Sequence, residues 1–152
     1  MKQRFKYRAV GVAIVDDMVL LYQTVGNPYW SLPGGVIERG EQAQAALVRE
    51  MQEEAGIEVQ IGRLVWVGEN FYTRGEKPIH ELALYFMIHL KDIELSAKDK
   101  TFGGYEGEHP LIFRWFCLDH VDNLLLYPQF LKSALRNIPD NTEHFVVSSG
   151  DG

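Results

Sequence analysis

The chain has 152 residues, of which 46% are hydrophobic, and a formal net charge of −6. That is enough apolar material for one packed domain, expected over residues 1–147 with a flexible tail at 148–152. The acidic balance argues against general electrostatic attraction to nucleic acid or an anionic membrane. No apolar run is long enough to span a bilayer, residues 1–7 are too polar for a signal peptide, and the lone Cys117 has no internal disulfide partner, so a cytoplasmic protein is expected.

Residues 7–15 and 18–24 are β-rich and meet at Asp16-Asp17, which predicts a hairpin. Gly26-Asn27-Pro28 then turns the chain into Tyr29 and Trp30. The large indole suits a core, whereas the phenol of Tyr29 also tolerates a wet pocket and is a candidate to contact a substrate ring. Leu32-Pro33-Gly34-Gly35 reads as a turn, and Gly40 keeps the backbone irregular up to Glu41.

From Gln42 strong helix formers begin, and Gly56 stands where a left-handed stop is expected, so residues 42–55 are predicted as a helix. Leu47, Val48, Met51 and Ala55 form its apolar stripe. Glu50, Glu53 and Glu54 fall on a separate stripe at spacings of three and four. Such like charges destabilise an isolated helix by a few tenths of a kcal/mol per pair. A run of Glu on a helix is usually just a solvated face, but Arg49, Glu41 and the double glycine stand beside this one. A hard cation, Mg²⁺ or Mn²⁺, is the simplest ligand for all-oxygen donors of this kind.

The stretch resembles the box of the Nudix hydrolases. Gly35, five residues, Glu41, seven residues, then Arg49-Glu50-Met51, Glu53-Glu54 and Gly56-Ile57 fill every fixed position of that pattern, with Trp30 to Gly34 like the usual lead-in. The resemblance implies an α/β/α sandwich with a mixed β-sheet between helices, and hydrolysis of a nucleoside diphosphate linked to another group. It implies a divalent metal held by Glu50, Glu53, Glu54 and the carbonyl of Gly34, with Arg49 and Glu41 as positioning residues. Metal ions would invert the field of the carboxylates towards a polyanionic diphosphate, and water is the expected nucleophile. Crowding raises the pKa of one carboxyl group in such a trio, so the general base is sought there, with Glu50 the first choice.

Downstream, residues 58–72 predict two strands separated by a turn at Gly62-Arg63, and residues 79–90 a strand pairing with the second of them. Phe71 and Tyr72 are candidates to stack on a base or sugar. Residues 91–110 are long, polar and glycine-rich, which predicts a surface loop or lid. Nudix enzymes often take a further carboxylate from such a loop. Glu106 and Glu108 are both candidates, with Glu108 preferred because it lies nearer the following strand. Residues 111–118 read as a strand and 127–138 as a helix covering the sheet opposite the first one. Residues 143–147 are expected to add an edge strand or to meet a partner subunit in a homodimer. The leading reading is thus a pyrophosphohydrolase of a small nucleoside diphosphate derivative; the alternatives are a non-catalytic nucleotide sensor and an ordinary assembly domain.

Overall fold

The structure, a computed structural model, describes residues 4–92 and 101–148. Two sheets form it. The five-stranded one runs β4-β1-β6-β5-β9, with β1 Arg4–Val12, β4 Gly34–Val36, β5 Val59–Arg74, β6 Lys77–Leu90 and β9 Glu143–Ser148. It is mixed: β1–β6 and β5–β9 are parallel, and β1–β4 and β5–β6 antiparallel. The four-stranded one runs β2-β3-β8-β7, with β2 Ile14–Val15, β3 Met18–Thr24, β7 Thr101–Glu106 and β8 His109–Cys117.

Pleating divides each strand between two cores. Ala9, Phe86 and Ile88 join Leu20, Phe113 and Trp115 beneath α1, Ala43–Ala55. Val10, Val12 and Tyr85 instead meet Leu21, Trp66, Leu131 and Leu135 on the opposite side. The expected layering of helices on both faces is therefore present, with the second sheet bracing it.

Several expectations are corrected. The predicted hairpin shrinks to β2–β3 around Asp16 and Asp17, both at positive φ, because the chain changes sheets after β1. The Leu32–Gly35 turn gives way to β4, which uses the free edge of β1; a Cβ on Gly34 would lie 2.2 Å from the Ala9 carbonyl oxygen. Residues 58–72 contain no turn at Gly62, since β5 continues through register shifts on either side of Leu64.

The predicted helix over 127–138 is also cut down, to α2, Leu131–Ala134. Three-residue hydrogen bonds from Leu131 to Pro128 and from Asn137 to Ala134 tighten its ends. Within 91–110, residues 93–100 lie outside the described residues, and 101–106 form β7 rather than loop.

Within β7, Gly104 serves contact, not looping. At Gly104 a Cβ would come within 2.0 Å of the carbonyl oxygen of Glu54, so β7 seats the last turn of α1 by backbone approach. Gly56, at φ 65, closes that helix by donating its N–H to Gln52, as a left-handed cap does. Gly104→Ala is expected to lower stability by about 1–3 kcal/mol through overpacking, with a matching shift in a urea melt; Gly107→Ala, whose site is open, is a control limited to the cost of its positive φ.

Candidate active site

α1 is turned further towards the sheet than the sequence stripe suggested. Its buried residues are Ala43, Ala46, Leu47, Met51 and Glu54, while Val48 is exposed. The rotation carries one edge of the glutamate stripe into the protein. Glu54 is 6% exposed. Its carboxyl group hydrogen-bonds that of Glu50, and burial together with Glu50 and Glu106 pushes its pKa well above the carboxylate range.

Glycine makes room for this pair. A Cβ on Gly35 would stand 2.2 Å from the Glu50 carboxyl carbon, so only glycine lets the carboxyl lie against β4. Arg49 holds the surrounding acids. Its Nε and Nη2 donate to the two oxygens of Glu41 at 2.8 and 2.9 Å, and Nη1 donates to Glu50 at 2.9 Å and Glu53 at 3.2 Å. Nη2 also reaches the Val36 carbonyl at 3.1 Å, tying helix to β4. The guanidinium fork suits a bidentate carboxylate, which a lysine could not match.

Gly35 opens on a cavity of about 910 Å³ between the sheets. Tyr22, Tyr29, Tyr127 and Glu106 also line it, and Asn70, Tyr72, Glu81, Arg4, Lys6, Arg8 and Arg74 continue it along the five-stranded sheet. Tyr29 is 47% exposed and meets Tyr127 edge to face at 5.0 Å. Trp30, by contrast, is in the core against Phe116.

The structure thus gathers Glu50, Glu54, Gly35, Glu106, Tyr29 and Tyr72, but not every candidate. Phe71 points to the other face of β5, stacked on His80 at 4.3 Å, because strand neighbours alternate. Glu108 sits exposed in the β7–β8 turn, whereas Glu106, at the end of β7, lines the cavity and bears on Glu54. Glu53 turns outward, 61% exposed, to Arg49. Among the described residues no three His, Cys, Asp or Glu side chains stand assembled as one cage. The basic row Arg4, Lys6 and Arg8 also lines the cavity; its period of two is visible in the sequence, but the face it meets is set by the sheet.

The donors nonetheless fit a hard divalent ion. Two carboxyl groups in hydrogen-bond contact must share a proton or a cation, and magnesium commonly takes one or two carboxylates while keeping waters for its other positions. Acid-clamped helix, glycine strand and deep polar cavity define the class, a hydrolase-type site for an anionic small molecule.

The model of the NUDIX domain matches residues 6–138, and the chain belongs to the Nudix hydrolase family, enzymes acting on phosphorus-containing acid anhydrides. It is 37% identical over 143 residues to human diphosphoinositol polyphosphate phosphohydrolase 3-alpha, covering 90% of this chain and 80% of that one. It is 32% identical over 94 residues to an ADP-ribose pyrophosphatase of Methanocaldococcus jannaschii, covering 59% of this chain and 53% of that one. The fold is similar to that of a Nudix hydrolase from Nitrosomonas europaea, with a TM-score of 0.62, 22% identity, and 96% and 81% of the two chains covered.

The clamp has a pH signature. Arg49, and after it the Glu38 N–H, hold the pKa of Glu41 down from 4.5 to about 2. A depressed carboxyl pKa stabilises the fold above the unfolded-state value, and that contribution is lost as pH falls towards the folded one. The melting temperature of the parent is therefore expected to fall more steeply between pH 4.5 and 2 than that of Glu41→Gln.

Proposed function

We propose that the protein is a metal-dependent pyrophosphohydrolase, working in the cytoplasm on a phosphoanhydride bond of a nucleoside diphosphate linked to another group. The observation that carries this reading is the Glu50 carboxyl group lying against Gly35 at the cavity wall, with Glu54 buried beside it on the same helix. An unpaired Cys117 suits a reducing compartment. The two relatives above are named for a diphosphoinositol polyphosphate and for ADP-ribose, chemically different molecules that share a diphosphate.

Glu50 and Glu54 would be the primary carboxylates for Mg²⁺ or Mn²⁺, with the Gly34 carbonyl as a further donor, and Glu53 would join them by leaving Arg49. The ion, when bound, supplies charge neutralisation at the diphosphate oxygens and lowers the pKa of a nearby water. Water attacks one phosphorus, the bridging P–O bond breaks, and the departing phosphate keeps its electron pair. Glu50 takes the water's proton, while Arg49 fixes the carboxylate in line and keeps it from rotating into solvent. Glu106 faces the same end of the cavity and serves as the additional carboxylate. Tyr29 and Tyr72 offer ring faces to the organic part of the substrate.

A panel of nucleoside triphosphates, oxidised nucleotides, nucleotide sugars and ADP-ribose, assayed with Mg²⁺ and then with EDTA, tests the reading. Turnover is expected only with metal, and Glu50→Gln or Glu54→Gln should cut kcat by about 100-fold or more. Glu54→Gln should melt no lower than the parent, since a neutral amide needs no proton uptake to be buried and still offers Glu50 a donor. Metal-independent turnover, or full activity in both variants, would refute the proposal.

A further inference from the structure

The far half of the cavity contains more recognition chemistry than a diphosphate requires. Lys6, Glu81 and Asn70 form one row across β1, β6 and β5, each in register with the next. Asn70 is 6% exposed and its Oδ1 has no hydrogen-bond partner among the described residues, yet the residue lines the cavity. A buried acceptor left open in this way costs stability unless a ligand donor meets it.

Around it positive charge collects in a protein whose net charge is −6. Arg8 is engaged by Glu81 at 3.8 Å. Among the described residues no ion pair joins Arg4, Lys6 or Arg74 to a carboxylate, though all three line the same wall. Burial, and next the neighbouring Arg74, push the Lys6 ammonium below its usual pKa. Glu81, the carboxylate in this row, is engaged by Arg8, which leaves Arg4, Lys6 and Arg74 in excess over it, and such an excess of like charge suits an anion.

Spacing separates this site from the carboxylates. Ala9 is level with Gly35, and Lys6 lies three residues back along β1, roughly 10 Å at ~3.3 Å per residue. That exceeds the reach of one diphosphate and matches a diphosphate joined to a sugar-sized ring.

We propose that Arg4, Lys6, Arg74 and Asn70 form a second subsite, which binds a further phosphate on a polyhydroxyl ring of the substrate, with Asn70 Oδ1 accepting a hydrogen bond from the adjacent hydroxyl. The preferred substrate thus carries a phosphate at each end, the anhydride at Gly35 and a monoester at this row. The ring is a ribose or a cyclitol, which share this chemistry. The assignment rests on the reading of the Gly35 end as the cleavage site.

Binding in EDTA separates the two. By calorimetry without metal, 2′-phospho-ADP-ribose is expected to bind about tenfold more tightly than ADP-ribose at low salt, with the preference shrinking as salt rises. A Lys6→Gln, Arg74→Gln double variant should bring the ratio close to one. Inositol hexakisphosphate, which has no anhydride, is the cyclitol arm: competition by it sustains the subsite and points to that ring, while preference confined to the ribose pair points to ribose. Asn70→Leu should weaken binding about tenfold while holding or raising the melting temperature. A lower melting temperature with unchanged binding would make Asn70 merely structural and remove it from the subsite. Equal affinity for the matched pair together with no competition overturns the proposal, even with metal-dependent turnover intact. A preference that persists where turnover is absent leaves the subsite standing and counts only against the hydrolase reading.

Discussion

Three carboxylates and a backbone carbonyl share the guanidinium of Arg49. Without that shared cation, Glu41, Glu50 and Glu53 would repel one another and the loop before α1 would keep only the apolar packing of Ile37 on the helix. With it, the acids are brought together at the edge of β4 and their side chains are held from more than one direction. A fixed array of charge costs little reorganisation when an ion or substrate arrives, which is the physical basis of preorganised catalysis.

Glycine is the counterpart of that clamp. At Gly35 the missing side chain admits the Glu50 carboxyl, and at Gly104 it admits the backbone of the last helical turn. The helix is thereby pressed against strands from both sheets, which buries Glu54 and turns a solvated-looking glutamate face into part of a site. The same rotation leaves Val48 in solvent. Apolar burial alone would have favoured the opposite, so the tight glycine contacts and the clamp together decide the orientation.

The cavity extends this logic across the sheet. Its Gly35 end is acidic and its far end basic, so a bound molecule meets fields of opposite sign at its two ends. An overall acidic chain thus has a local surface of the other sign, as net charge describes the mean and not the distribution.

Local rules carried far in this chain. The box residues, the helix over 43–55 with its Gly56 stop, and the pairing of β5 with β6 follow from spacing, propensity and turn chemistry within a few residues. What needed the tertiary structure depends on partners distant in sequence. Nothing near Gly34 says that β1 has a free edge to offer, and nothing near Gly104 says that a helix will rest on it. The choice of Tyr72 over Phe71, and of Glu106 over Glu108, is a matter of which strand face or strand end meets the cavity. Chain order cannot decide that, because a shift of one residue moves a side chain to the other side of a sheet.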